Sequence, residues 1–143
     1  MKSILILWAV LCSGIYAAEL KKADCMDSAT TQTAMNQCAA SNLEVANDEL
    51  NTVYQGIRRK YKQDAVFLAK MKIAQLAWIK FRDVQIDMYY PHRDEDEYYG
   101  SALPMCIQLE VTNMTLERIK TLNKWLSGSE EGDVCSGSIE ANS

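Results

Sequence analysis

The stretch that decides the fold is residues 30–61, TTQTAMNQCAASNLEVANDELNTVYQGIRRKY. Its apolar side chains recur in steps of three and four, which places them on one face of an α-helix. They are Met35, Ala39, Leu43, Ala46, Leu50, Val53, Ile57 and Tyr61. Thr30 or Thr31 can cap the start of this helix. Gly56 lies inside the pattern and costs about 1 kcal/mol relative to alanine, but it does not end the predicted helix.

Two more helices are predicted after the first. The second runs from about Asp64 to Met88. Its stripe is Leu68, Met71, Gln75, Trp78, Arg82 and Ile86, widened by Leu76, Ile79 and Phe81. Because the break around residues 62–64 is short, the first two helices should be antiparallel neighbours. Pro91 ends this helical order, since proline disfavours the helical conformation in the residue before it.

The third helix is predicted to begin near residues 102–105, with Pro104 suited to its first turn, and to end near Trp125 or Leu126. Its apolar stripe is Met105, Leu109, Thr112, Leu116, Ile119 and Leu122. Three helices with one apolar face each can close a core only by packing together. We therefore predict a small all-α bundle over residues 18–126, with three helices or with four if a short N-terminal turn is counted. Residues 127–143 offer almost nothing to bury, which predicts a disordered tail.

The first 17 residues are typical of an export signal. Lys2 supplies the positive start, an unbroken apolar run follows over residues 4–11, and Ala17 provides the small residue that precedes cleavage. The apolar run is shorter than the roughly 20 residues needed to span a bilayer. Cys12 follows Leu11 and interrupts the apolar core, which argues against lipidation. We expect a periplasmic or secreted protein without a stable membrane anchor.

Four cysteines remain after removal of this segment, and they are Cys25, Cys38, Cys106 and Cys135. An even number of cysteines in an exported chain favours disulfide bonds, and four allow three pairings. The most local pair is Cys25 with Cys38, and closing so short a loop contributes on the order of 3 kcal/mol in the chain-entropy model. The remaining pair is then Cys106 with Cys135. The cysteines lack the close spacing of a metal site, so we predict neither a metal nor another cofactor.

The charge of the chain restricts its partners. It carries 15 Lys and Arg against 19 Asp and Glu, and losing Lys2 with the signal leaves a net charge of −5. A moderately acidic protein repels nucleic acid and anionic lipid and attracts basic proteins. No cluster of Lys or Arg is long enough to bind a phosphate backbone, so nucleic acid is not an expected partner.

Polar residues interrupt the apolar face of the second helix. Gln75, Trp78 and Arg82 lie at positions i, i+3 and i+7, so they share that face and must find partners if they are buried. The expected partners on the first helix are Asp48 and Glu49, with Asn51 nearby, and Asp83 is placed to brace a loop amide. We interpret the group as a polar clamp between helices, with a binding pocket as the alternative.

The segment after the second helix is acidic and rich in tyrosine. Four consecutive acids, Asp94, Glu95, Asp96 and Glu97, are flanked by Tyr89 and Tyr90 on one side and by Tyr98 and Tyr99 on the other. Such a charge run can simply be a solvated loop. Tyrosine is enriched in recognition surfaces, however, and complementary charge speeds encounter with a basic protein. This segment is therefore the candidate partner-binding surface.

Motifs for catalysis are missing from the sequence. The sole histidine, His92, lies in the predicted loop without a placed nucleophile. The chain contains no Gly-x-Ser-x-Gly, no phosphate-binding loop and no His-Glu-x-x-His. We therefore expect a protein that is not an enzyme.

Several of these residues occur in an order that resembles a known family. The pattern begins with Cys25, Ala29-Thr30-Thr31, Met35 and Cys38, and continues with Asp48-Glu49-Leu50-Asn51-x2-Tyr54. It proceeds through Gln75-x2-Trp78-Ile79-x-Phe81-Arg82-Asp83, Gly100-Ser101, Cys106, Thr112 and Leu116-Glu117-Arg118 up to Leu122. This order is similar to the LprI-like lysozyme-inhibitor domain of exported bacterial proteins, over about residues 25–122.

The resemblance implies a helical periplasmic or secreted domain that inhibits lysozyme. The family typically has a cysteine at the position of Ile86, paired with the one that matches Cys106. Because Ile86 cannot form that bond, Cys106 either pairs with Cys135 as a replacement or stays free. We predict an inhibitor that occludes a basic lysozyme-like hydrolase through Asp94–Glu97 and the adjacent tyrosines. The alternatives are a toxin immunity protein and an envelope structural or stress protein without an enzyme target.

Overall fold

Four α-helices account for most of residues 25–142, the part of the chain that the computed structural model describes. They are α1 (Cys25–Ser28), α2 (Gln32–Lys60), α3 (Ala65–Tyr89) and α4 (Leu103–Ser127). The only other pairing within this range is an isolated β-bridge between Ser129 and Ala141. The predicted all-α bundle with a short N-terminal turn is confirmed. The predicted signal peptide lies outside the described residues.

The starts of α2 and α3 follow from local chemistry. Thr31 precedes α2, and its Oγ1 accepts a hydrogen bond from the amide of Ala34 at 3.2 Å. Asp64 precedes α3, and its carboxylate accepts from the amide of Phe67 at 2.8 Å. Each side chain satisfies one of the amides that a helix leaves unpaired in its first turn. Helix α4 has no such cap but carries proline in its first turn.

Helices α2 and α4 run parallel. Near their starts, Asn36 Nδ2 donates to the carbonyl of Ser101 at 3.1 Å, and near their ends Lys60 Nζ donates to the carbonyl of Trp125 at 3.0 Å. Their mutual contact is the most extensive in the bundle. Ala39 and Ala46 of α2 are completely buried, and such small side chains let two helix backbones approach closely. Helix α3 therefore runs antiparallel to both, as the short connection predicts, but it packs more against α4 than against its predicted neighbour α2.

The hydrophobic core is concentrated near the turn between α2 and α3. Its buried members are Leu50, Val53, Ile57, Tyr61, Met71, Ile119 and Leu122. Nearer the start of α4, Thr112 and Thr115 are also buried, and their hydroxyls donate to the carbonyls of Gln108 and Val111 at 2.7 and 2.8 Å. The backbone thus satisfies both buried hydroxyls without a partner from another helix. Among the helices of residues 25–142, none is both long enough and apolar enough to cross a bilayer.

A disulfide bond joins Cys25 to Cys38 and fixes α1 on the start of α2. This bond was predicted and is present. The predicted bond between Cys106 and Cys135 is absent, since both thiols are free. Cys106 lies in the first turn of α4, whereas the tail that carries Cys135 packs at the other end of that helix, about 28 Å away at 1.5 Å per residue. The length of α4 therefore separates the two cysteines.

The predicted disordered tail is wrong over residues 128–142. Gly128, with a left-handed φ of 80°, turns the chain back, and the Ser129 amide donates to the carbonyl of Glu140 at 3.0 Å. The amide of Glu140 then donates to the hydroxyl of Tyr61 at 3.1 Å, and Trp125 Nε1 donates to Ser138 Oγ at 3.0 Å. Hydrogen bonds to the helix ends thus order a segment that has few apolar groups to bury.

Candidate functional site

The acidic segment forms a structured loop between α3 and α4. Tight turns follow one another along residues 90–102: the amide of Arg93 donates to the carbonyl of Tyr90 at 3.1 Å, and the amide of Glu95 to that of His92 at 3.0 Å. Glu97 adopts a left-handed φ of 63°, and the amide of Gly100 donates to its carbonyl at 3.2 Å. The loop therefore holds its own shape through backbone hydrogen bonds. We call residues 89–99 the acidic loop.

Aromatic rings support the acidic loop from within. The ring of Tyr99 lies edge-on to those of Tyr90 and Tyr98, with centroids 5.5 and 4.7 Å away. The His92 ring stacks on Tyr98 at 4.6 Å, and Tyr89 lies 6.4 Å from Tyr90. Edge-on and offset contacts at these distances stabilise aromatic pairs beyond the area that they bury. The structure thus brings all four predicted tyrosines into one cluster.

The four tyrosines divide into two kinds. Tyr90 and Tyr99 are half-buried, whereas Tyr89 and Tyr98 are more than half exposed. Burial raises the pKa of the Tyr90 phenol, and the nearby Cys106 and Glu110 of α4 raise this pKa further. Tyr90 therefore faces the start of α4. Only Tyr89 and Tyr98 present most of their surface to a partner.

The acids of the loop also differ in their contacts. Glu95 Oε1 lies 2.7 Å from His92 Nδ1, and the neighbouring Arg93 pairs with Asp87 at 2.7 Å. No hydrogen bond or ion pair from residues 25–142 engages the side chains of the other three exposed acids, Asp94, Asp96 and Glu97. The loop therefore directs three uncompensated carboxylates to solvent. The supporting role of His92 was missed, although its i, i+3 spacing to Glu95 was visible in the sequence.

The polar group on α3 has other partners than predicted. Gln75 Oε1 accepts a hydrogen bond from Arg118 Nε of α4 at 2.9 Å, and Arg82 pairs with its neighbour Asp83 at 2.9 Å. The indole of Trp78 lies near both guanidiniums, 5.5 Å from that of Arg82 and 5.7 Å from that of Arg118. Burial lowers the pKa of the Arg118 guanidinium. A link between α3 and α4 thus replaces the predicted clamp between α3 and α2.

Asp48 takes no part in this link. Its side chain is exposed, and nothing in the described part of the chain pairs with it. Asp83 satisfies Arg82 locally and does not brace a loop amide. The sequence showed that Gln75 and Arg82 needed partners. It did not show that Arg118 would approach Gln75, because that contact depends on the rotation of α3 in the bundle.

A shallow groove lies between α3 and α4 beside this link. It has a volume of about 360 Å³, and its lining includes Trp78, Phe81, Met114, Glu110, Glu117 and Arg118. The apolar floor and mixed charges of its walls could receive a side chain of a partner protein. Nowhere in residues 25–142 do three or more His, Cys, Asp or Glu side chains come together as metal ligands would.

The helices and the acidic loop lie within a region that matches a known protein family. The family model described as lysozyme inhibitor LprI matches residues 25–122. The match spans α1, α2, α3, the acidic loop and α4 as far as Leu122, which is well over half of the 143 residues. No curated protein and no solved structure matches the chain significantly. The chain belongs to the lysozyme inhibitor LprI family.

Proposed function

We propose that this protein is exported to the periplasm or beyond and inhibits a lysozyme-like cell-wall hydrolase by covering its active site with the acidic loop. The observation that carries this proposal is the loop's three uncompensated carboxylates, Asp94, Asp96 and Glu97, held beside the exposed rings of Tyr89 and Tyr98. Membership of an inhibitor family supports a protein partner and a role without catalysis.

Charge and aromatic surface have separate parts in this mechanism. The carboxylates attract a cationic enzyme and speed its encounter with the loop. The exposed rings of Tyr89 and Tyr98 then supply apolar contact with little loss of side-chain entropy. The backbone turns and the aromatic cluster hold the loop in shape before binding, so little ordering is needed when the complex forms. The inhibition is steric, and no bond of the hydrolase or of its substrate is broken by this protein.

The direct test is lysis of peptidoglycan-bearing cells by a C-type lysozyme in the presence of the purified mature protein. We expect protection that reaches its maximum near a molar ratio of one inhibitor to one enzyme. Because the attraction is between charges near the surface, affinity should fall as the salt concentration rises. Undiminished lysis at a large excess of the protein would reject lysozyme as the target.

A matched pair of variants tests the loop. The first, Asp94→Asn/Asp96→Asn/Glu97→Gln, removes the three uncompensated charges and should weaken inhibition at least about tenfold. The control, Glu44→Gln/Glu130→Gln/Glu131→Gln, changes the net charge equally at exposed positions outside the loop. It should inhibit almost as well as the unchanged protein. Equal losses in both variants would show that net charge, not the acidic loop, governs binding.

A further inference from the structure

Helix α3 carries a second apolar face that the bundle does not cover. Its large members are Val66 (72% exposed), Ile73 (62%), Phe81 (54%), Val84 (40%) and Met88 (65%). By contrast, only Met71 and Ile86 of this helix are buried. Val66, Ile73, Ala77, Val84 and Met88 are separated by steps of seven and four, so they form one stripe along the helix. We call these five residues together with Phe81 the outer stripe.

The outer stripe is about as large as the largest apolar patch that an ordinary monomer exposes. At roughly 150–250 Å² for a large side chain, these exposures leave roughly 500 Å² of apolar surface. Monomeric proteins rarely leave a larger patch, since their largest usually covers about 300–600 Å². Its roughly 500 Å² could form the apolar centre of the ~800 Å² that each partner buries in a stable interface.

We propose that the outer stripe binds a second copy of this chain, with the two α3 helices packed antiparallel across a twofold axis at Ala77. Four of the other five members of the stripe are placed symmetrically about that residue. Ile73 and Phe81 each lie four positions away, and Val66 and Met88 each lie eleven positions away. In an antiparallel pair, Ile73 of each chain therefore meets Phe81 of the other, and Val66 meets Met88. The small Ala77 at the centre allows the helices to approach closely.

Charge also favours a second copy over a basic enzyme on this face. The start of α3 and the preceding turn carry Lys62, Lys70 and Lys72, whereas the other end leads into the acidic loop. An antiparallel pair places the basic end of each helix near the acidic end of the other and aligns the helix dipoles favourably. Lys70 lies opposite Val84, where its aliphatic stem can cover the valine and its ammonium can reach water.

Sedimentation velocity of the mature protein from micromolar to millimolar concentration tests the proposal. We expect a monomer–dimer equilibrium in which Ile73→Glu raises the dissociation constant at least about tenfold, because it places two charges in the apolar stripe. Leu76→Glu is the matched control. Leu76 is 57% exposed on the same helix but lies about 100° around it from Ala77, outside the stripe, so its variant should stay within about twofold of the unchanged protein. A monomer at every concentration, or equal effects of the two variants, would overturn the proposal.

The register has its own test. In a Cys106→Ser/Cys135→Ser background, Ala77→Cys should give a disulfide-linked dimer under mild oxidation, because the axis brings the two positions together. Leu76→Cys in the same background should remain monomeric. Efficient cross-linking at residue 76 instead of residue 77 would exclude this arrangement. The proposal does not rest on inhibition, since the lysis assay can fail while the dimer forms, and the reverse.

Discussion

At the scale of single residues, Tyr90 connects the acidic loop to the bundle. Its ring contacts those of Tyr89 and Tyr99, and its amide donates to the carbonyl of Ile86 at the end of α3. Its phenol lies near Cys106 and Glu110, so ionisation would place a third negative charge beside two groups that can carry one. The neutral phenol is therefore the form that suits the folded protein.

This environment predicts a stability that depends on alkaline pH. The pKa of the Tyr90 phenol is higher in the folded state than in the unfolded chain. The phenol therefore contributes fully to the free energy of unfolding below its ordinary pKa of 10, and this contribution is lost as the pH rises through the folded-state pKa. Tyr90→Phe has no phenol to ionise and should not show that loss. Above pH 10 its melting temperature should therefore fall less steeply with pH than that of the unchanged protein. Melting curves between pH 8 and about 11 measure it. Tyr89→Phe, at an exposed ring, is the control and should show no such trend.

The sequence predicts the composition of the acidic loop but not which of its side chains are exposed. The acidic run and its tyrosines were evident because they are consecutive in the chain. Their division into inner and outer rings was not, because Tyr90 is half-buried through contacts with α4 that are distant in sequence. Likewise, nothing local distinguishes Glu95, which His92 engages, from the unengaged Asp94.

At the scale of elements, Arg118 is the polar tie between α3 and α4. Arg118→Met keeps much of the side-chain volume but leaves Gln75 without its donor, and we expect a loss of about 1 kcal/mol in the free energy of unfolding. Arg82→Met removes an ion pair with the adjacent and exposed Asp83 and, like Arg118→Met, one guanidinium beside Trp78. No side chain on another helix loses its hydrogen-bond donor, so this variant should cost less than Arg118→Met, about 0.5 kcal/mol. Urea unfolding of the two variants gives the comparison. A larger loss of unfolding free energy for Arg82→Met than for Arg118→Met would show that Arg118 is not the main polar link between α3 and α4.

The helices themselves were predictable to within a few residues. Their signals are local: apolar spacing, Thr31 and Asp64 as caps, and a proline after α3. The rotation of α3 was not predictable, because this helix has two apolar arcs and periodicity does not show which one faces the core. Leu76 and Phe81 were therefore counted with the packed surface, although both are more than half exposed.

At the scale of the whole molecule, the tail holds the ends of the helices together. The Tyr61 hydroxyl accepts from the amide of Glu140 and donates to the carbonyl of Trp125, so one side chain joins the α2–α3 turn, the end of α4 and the tail. Lys60 reaches the carboxylate of Glu140 at 3.6 Å on the surface beside it. Composition could not predict this order, since polar tails have little to bury and these contacts involve residues far away in the chain.

Ending the chain after Ser127 should therefore weaken the bundle. The loss of the bonds from Glu140 and Ser138 should lower the free energy of unfolding by about 1–2 kcal/mol. Removal of the tail increases the solvent exposure of the Trp125 indole, so its fluorescence emission should shift to longer wavelength. Cys135→Ser in the full-length tail serves as the control and should match the unchanged protein, since that thiol is exposed and free. Identical unfolding midpoints for the shortened and complete chains would contradict this role of the tail.

The two ends of the bundle are secured by different means. Near the turn between α2 and α3 the hydrophobic core does this work, whereas the end with the acidic loop has the Cys25–Cys38 bond, two residues from the Asn36 side chain that holds Ser101. The core needs no oxidant, but the bond does. A molecule with reduced cysteines would thus have its core but lack the bond at the end of the bundle that carries the acidic loop. Under the proposed function, the protein would therefore gain its full affinity for the hydrolase only in an oxidising compartment.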